Sequence, residues 1–303
     1  MRKRRPFRFT VSFCLLAGLV VVGPIPLVSC GSASRSLNFT TIDFSGSHET
    51  IVFRVNSSGE VVGSYFDSSN AEHGFLWQAG SFTTFDVPGG VGATQAQGIN
   101  DLAETTGEYG NNQVVLGFLR QPDGSTVNID PPASAGYTEA DGVNNAGAIV
   151  GRYFGNSPGF QGFVFSNGSY TTINVPGATN TSLFGINNLG DIVGDYIDAS
   201  GATHGLLMSN GNITTIDFPG STNTNAQDIN DNGEIVGSTV VNDVRHGYLF
   251  SNGKFTMIDN PGASLAPSGL PLSGTDVHGI NASGEVAGTY QDSGGVIHGF
   301  VAK

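Results

Sequence analysis

Short apolar runs alternate with glycine- and asparagine-rich punctuation along this chain, on a fixed period. One marker is an apolar pair followed by glycine, as in Ile192-Val193-Gly194. Its glycines are Gly63, Gly107, Gly151, Gly194, Gly237 and Gly288, spaced 43 or 44 residues apart except for a final interval of 51. A second marker is His-Gly-aromatic or His-Gly-Leu, centred on Gly74, Gly117, Gly162, Gly205, Gly247 and Gly299. A third closes segments such as Ile213-Thr214-Thr215-Ile216-Asp217, at Asp43, Asp86, Asp130, Asn174, Asp217 and Asp259. The third series starts one period early and ends one period early.

Each period predicts four short strands. In the fifth copy these are Ala226 to Asn230, Glu234 to Thr239, His246 to Phe250 and Lys254 to Asp259. Asn230-Asp231-Asn232-Gly233 suits a turn ending in a left-handed glycine. Ser251-Asn252-Gly253 is a hairpin signal, because Asn-Gly favours the primed turns that match strand twist. Pro261-Gly262 then breaks the sheet. No sustained helical period follows the first 29 residues.

Four antiparallel strands in 40–45 residues is the size of a propeller blade. The chain is therefore expected to be all-β, a six-bladed β-propeller of four-stranded antiparallel blades. Its last copy lacks a fourth strand, and the spare one lies at Phe39-Thr40-Thr41-Ile42-Asp43. The N-terminal strand should pair with the C-terminal blade and close the ring. An open solenoid would need polar capping units and would leave an unpaired edge; no such caps are seen. Strands packed on both faces should be apolar on both sides. Glycines recurring inside strands should mark close backbone approach near the axis.

Residues 1–29 read as a signal peptide. Arg2, Lys3, Arg4, Arg5 and Arg8 precede an apolar run from Phe9 to Gly23, the pattern of a secretory signal. Leu27-Val28-Ser29-Cys30-Gly31 resembles the bacterial lipobox, which makes Cys30 a lipidation candidate and 30–36 a short tether. The single domain then spans 37–303. Cys14 and Cys30 are the only cysteines, so the domain contains no disulfide and depends on packed sheets. The chain has 12 basic and 25 acidic residues. Without the first 29 residues the balance is seven against 25, or −18. That argues against nucleic acid and against electrostatic docking on anionic membranes; a membrane is expected only through a lipid on Cys30. The protein is expected to be exported, as a cell-envelope lipoprotein or extracellular.

At these markers the chain resembles the extracellular repeat proteins of the HAF family, recognised by recurring Gly-Ile-Asn, Val-Gly and His-Ala-Phe. Here the triplet reads His73-Gly74-Phe75, His204-Gly205-Leu206, His246-Gly247-Tyr248 and His298-Gly299-Phe300. Gly replaces the middle Ala throughout, and Leu116 and Gln161 replace His in two copies. The resemblance covers nearly the whole expected domain. It implies an exported bacterial repeat protein, and no reaction or catalytic residue.

Candidate chemistry is thin. The triplet histidines occupy equivalent positions off the axis of a ring, too far apart to share a metal; packing or hydrogen bonding between blades suits them better. Asp228, Asn230 and Asn232 match the start of a calcium loop, but position twelve is Thr239 and other copies lack the leading Asp. A hairpin turn explains them, with calcium the weaker reading; no other cofactor or metal is expected. Gly155-Asn156-Ser157-Pro158-Gly159 matches G-x-S-x-G, but no helix begins there, as a nucleophile elbow requires. Tyr109, Tyr153 and Tyr196 follow the second strand and are candidate stacking surfaces for sugars, though their regularity also suits packing. The residue before each one varies. Glu108, Arg152 and Asp195 are thereby candidate binding residues, with His278 and Asp276 expected on the same face.

The expected function is a surface-tethered, non-catalytic binding or adhesion module for an extracellular carbohydrate or protein, with glycans as one class. The alternative is an extracellular polysaccharide-active enzyme, which would need paired carboxylates about 5–10 Å apart; Glu108 and Asp195 sit two blades apart.

Overall fold

The computed structural model describes residues 37–111, 114–265 and 273–303. The signal segment, Cys30, the tether and the centre of the long connection before the last repeat lie outside the described residues. Among these, twenty-four strands and no helix are found.

β1 (Phe39–Ile42) precedes a first quartet of β2 (Glu49–Val55), β3 (Val61–Phe66), β4 (Glu72–Gln78) and β5 (Ser81–Phe85). Then come β6 (Thr94–Ile99), β7 (Thr105–Asn111), β8 (Val114–Arg120) and β9 (Thr126–Ile129). The third quartet is β10 (Tyr137–Val143), β11 (Ile149–Phe154), β12 (Phe160–Ser166) and β13 (Ser169–Ile173). The fourth is β14 (Asn180–Ile186), β15 (Ile192–Ile197), β16 (Thr203–Ser209) and β17 (Asn212–Ile216). The fifth is β18 (Thr224–Ile229), β19 (Ile235–Val241), β20 (Val244–Ser251) and β21 (Lys254–Ile258). The last copy supplies β22 (Gly274–Ile280), β23 (Val286–Gln291) and β24 (Ile297–Ala302). Within each unit consecutive strands pair antiparallel. β1 pairs antiparallel with β24, Phe39 opposite Ala302 and Ile42 opposite Gly299, so the last sheet takes its fourth strand from the start of the chain.

Every first strand carries a β-bulge. The register shifts between Val52 and Arg54, Ala96 and Gly98, Ala140 and Gly142, Leu183 and Gly185, Ala226 and Asp228, and Val277 and Gly279. A bulge bends its strand and re-aims one side chain. It also explains the apolar-apolar-Gly marker. A Cβ on Gly63 would lie 2.0 Å from the Ile51 carbonyl oxygen, and one on Gly151 2.0 Å from that of Glu139. Only glycine fits opposite the bulge.

The next residues form the first hairpin of each unit, where one asparagine has two tasks. Asn144 Oδ1 accepts from the Ala146 and Ala148 amides, at 3.1 and 3.0 Å, which shapes the turn. Its Nδ2 donates to the Asn187 carbonyl of the next unit at 3.0 Å. The same link runs from Asn56 to Asn100, Asn100 to Asn144, Asn187 to Asn230 and Asn230 to Asn281. Asn281 donates in turn to the Asn56 carbonyl at 3.0 Å, returning the series to its start. First strands of successive units are also in contact, and β22 contacts β2.

The core lies between units. Ile42, Val52, Val61, Tyr65 and Phe75 pack with Ala287 and Val301 across the chain ends. Val236, Leu249 and Ile258 pack with Val277, Val286 and Phe300 in the same way. Inner strands are buried on both sides but are not apolar throughout, since β10 buries Thr138, Glu139 and Asp141; the fourth strand departs further from the expectation. β17 is exposed at four of its five positions, because it is the outer edge and turns threonines to solvent. The hairpin signals hold: Asn252 and Gly253 both have positive φ, 52° and 74°, as a type I′ turn requires.

The triplet histidines act within a unit. His73 Nδ1 meets Asp86 at 2.9 Å, His204 meets Asp217 at 2.9 Å and His246 meets Asp259 at 2.9 Å. Each pair clasps the third strand to the residue ending the fourth. The expected link between blades is therefore replaced by one inside each sheet, since the two strands are antiparallel neighbours. His298 makes the same contact with Asp43, at 2.9 Å, joining the two ends of the chain.

Two predictions follow from this geometry. Ala103 occupies the left-handed turn position with φ 60°, where the other copies have glycine. Ala103→Gly removes a penalty of roughly 1–2 kcal/mol against a smaller loss of chain rigidity; urea denaturation should show a net gain of about 0.5–1 kcal/mol. Deleting residues 37–43 removes β1, Ile42 and Asp43 together. The melting transition should broaden or vanish, and an unchanged melting curve would show that β1 is dispensable.

Candidate functional site

The six first strands come together at their bulges, and the bulged residues are Phe53, Gln97, Asp141, Phe184, Gln227 and His278. Each lies where the ladder releases a side chain, and all six line one polar cavity of about 390 Å³. Glu139, Arg152, Asp195, Asn225, Arg245 and Asp276 complete most of its wall.

The residue after the bulge is Gly98, Gly142, Gly185 and Gly279 in four units, but Arg54 and Asp228 in the other two. The glycines are demanded by crowding: a Cβ on Gly142 would sit 2.6 Å from the Phe184 carbonyl oxygen. Arg54 and Asp228 fill the middle instead. Arg54 Nε lies 3.3 Å from Asp228 Oδ2. Arg54 Nη2 donates to the Phe184 and Gln227 carbonyls at 3.0 and 2.7 Å, and Nη1 donates to the His278 carbonyl. Arg54 is only 6% exposed, so its charge is matched by a carboxylate and a cradle of carbonyls. Both residues line a small hollow among the turn asparagines, and Arg54 lines the polar cavity as well.

Around the wall, acids and bases alternate. Arg152 grips Glu139 through two nitrogens, Nε–Oε2 at 2.9 Å and Nη2–Oε1 at 3.0 Å. The same guanidinium lies 4.7 Å from the Phe160 ring centroid and 5.5 Å from that of Phe184. Arg245 pairs with Asp276, whose Oδ1 lies 3.5 Å from His278 Nε2. Burial works against ionised Asp276, but His278 and Arg245 hold its carboxyl well below the usual range. Asp195 accepts a hydrogen bond from Asn225 Nδ2, yet burial pushes its carboxyl up to about 6. Burial, then repulsion from Glu139, push Asp141 well above its ordinary value. Glu108 is raised by burial and by Glu139 and Asp141.

The sequence-based candidates divide here. Arg152, Asp195 and His278 line the cavity together, with Asp276 as expected. Glu108 is not among the lining residues; its Oε2 is buried without a partner. The tyrosines pack elsewhere. Tyr109 donates to Asn128 Oδ1 at 2.9 Å, Tyr153 bonds Thr172 Oγ1 at 2.8 Å and Tyr196 bonds Thr215 Oγ1 at 2.9 Å. Each thus ties a second strand to its own outer strand, and Tyr196 also stacks on His204 at 4.9 Å. The calcium candidates are otherwise engaged: Asp228 with Arg54 and the Ile280 amide, and Asn230 Oδ1 with the Asn232 and Glu234 amides. Arg54, Glu139, Asp141 and Arg245 also line the cavity and belong to none of the sequence-based candidates. One signal was available: Arg54 and Asp228, of opposite charge, are the two departures from glycine in one repeat column.

No protein-family model and no curated protein sequence matches the chain. Solved structures of β-propeller proteins do match its fold. AofleA from Arthrobotrys oligospora has 13% identity and a TM-score of 0.55, over 89% of this chain and 88% of that one. A variant of the Aleuria aurantia lectin in complex with α-methyl-L-fucoside has 12% identity and a TM-score of 0.53, over 86% and 93%. Virginiamycin B lyase from Staphylococcus aureus has 11% identity and a TM-score of 0.50, over 87% and 88%. At such identities the likeness concerns the fold.

The raised Asp195 carboxyl makes a signed prediction. The native protein holds this proton more tightly than the unfolded chain, whose carboxyl sits near 3.8. Its contribution to stability is therefore complete below that value and is lost as the pH rises through about 6. Asp195→Asn should be close to neutral at pH 4 and stabilising by about 2–3 kcal/mol at pH 7.5, read from urea denaturation at both pH values.

Proposed function

We propose that the chain is a six-bladed propeller, closed by β1, that works as an exported, surface-tethered binding module with a glycan in the cavity at its centre. The β1–β24 pairing and the returning series of asparagine bonds support the closed ring. The signal-like start, the lipobox resemblance at Cys30 and the HAF-like repeats support export and tethering.

The observation that carries the binding reading is the cavity wall. At about 390 Å³ it falls within the range of small-molecule sites. It presents the planar carboxylates, amides and guanidinium groups that hold hydroxyls in fixed directions, and Phe53 and Phe184 add apolar faces. Most of these groups are already positioned by partners within the wall, so little ordering is lost on binding. The lectin with bound fucoside is a neighbour consistent with this use of the fold.

A second reading has one observation in its favour. A buried carboxyl raised to about 6, as in Asp195, is suited to general-acid work on a polysaccharide. The two readings separate in one experiment. The purified protein should bind a subset of an immobilised glycan array and release no reducing sugar from the polysaccharides it binds. Gln227→Ala removes a wall amide and should weaken binding about 5- to 20-fold. Sugar release abolished by Asp195→Asn would establish the enzyme instead, and an empty array would sink the glycan module.

A further inference from the structure

The charges around the cavity do not cancel. Its three guanidinium groups each have a carboxylate: Arg54 has Asp228, Arg152 has Glu139 and Arg245 has Asp276. Two further carboxylates, Asp141 and Asp195, line the same wall without such an ion pair. Asp195 has the Asn225 amide. Asp141 is only 7% exposed, and its Oδ2 is buried with no hydrogen-bond partner. Gln97, on the neighbouring first strand and also 7% exposed, leaves its Oε1 equally unmatched. A buried acceptor without a donor costs about 1–3 kcal/mol. Asp141 Oδ2 and Gln97 Oε1 come from adjacent first strands that line one cavity, and Asp276 Oδ1 on the same wall is likewise without a hydrogen-bond partner. What the wall lacks is donors, and a cation rich in hydrogens to donate would supply them while favouring the ionised form of Asp141.

We infer that the cavity takes a ligand carrying a protonated amine, with Asp141 and Asp195 as its counter-charges and Gln97 Oε1 as a further acceptor. This deepens the binding reading above and rests on the cavity being the binding site. An ammonium offers three donors and no acceptor, which suits a wall whose free positions are acceptors. A metal ion suits it less. Calcium wants several carboxylates at once, while Glu139 and Asp276 are committed to arginines. Among the described residues no three His, Cys, Asp or Glu side chains stand together as metal ligands. Burial raises both Asp141 and Asp195, and an arriving cation relieves that cost. Amino sugars combine such an amine with hydroxyls, and they are the ligand class the wall fits.

Calorimetric titration with glucosamine, glucose and putrescine tests this. Glucosamine should bind at least about tenfold more tightly than glucose. Asp141→Asn should abolish that preference without lowering the melting temperature, and Asp195→Asn should reduce it. Equal binding of glucosamine and glucose would overturn the amine and leave the glycan reading standing. Binding of putrescine with neither sugar, lost in Asp141→Asn, would uphold the amine and overturn the glycan reading. A preference untouched by both substitutions, or no binding of either amine, would overturn the inference.

Discussion

The carboxamide of the turn asparagine is the interaction on which the rest depends. Its oxygen shapes the first hairpin of a unit and its nitrogen holds the next unit by a backbone carbonyl. One side chain thus sets both the local turn and the spacing between repeats. The group is buried in every copy: Asn56, Asn100, Asn144, Asn187, Asn230 and Asn281 are each at most 6% exposed. An aspartate would keep the oxygen and lose the donor, and it would add a buried charge. That explains why the column is uniform while its neighbours vary. With the turns so fixed, the bulges fall at one level, and their released side chains meet in one cavity.

Much of this was legible in the sequence, because packing between identical units leaves the same residue at the same offset. The strand quartets, the hairpins with Asn-Gly and the offset of β1 are all periodic signals. The binding wall is the opposite case. Its members sit at bulges, and a bulge shifts the alternation by one, so a strict in-out reading sends Asp141 or Gln227 to the wrong side. The varying column of the second strand did lead to Arg152 and Asp195, since variation there is not averaged by the fold. It also included Glu108, whose carboxyl turns into the protein rather than into the cavity. The tyrosines misled in the other direction: their regularity reflects hydroxyl bonds to the outer strand, as with Tyr153 and Thr172.

Buried charge is concentrated at the centre, and each group there is costly unless matched. Arginines pair with carboxylates from the same unit, as Arg152 with Glu139 on β10, from the next one, as Arg245 with Asp276, or from a unit further off, as Arg54 with Asp228. Hydrophobic packing between units supplies the stability against which such groups are tolerated. The outer edges, by contrast, carry threonines and the His–Asp clasps, half-exposed and chemically modest. Structure is thus repeated at the periphery and individual at the centre.

Arg54 carries a kinetic consequence. It lies in the first repeat, yet its guanidinium needs the carbonyls of Phe184, Gln227 and His278, at sequence separations of 130, 173 and 224. As the chain is synthesised, Arg54 emerges early and must wait for the last repeat before its charge can be buried. Contacts of such long range slow folding, because loop closure comes before its reward. The fifth repeat brings its carboxylate, Asp228, and the sixth adds the last carbonyl of the cradle, from His278. One side chain of the first repeat thus reads the presence of the fourth, fifth and sixth.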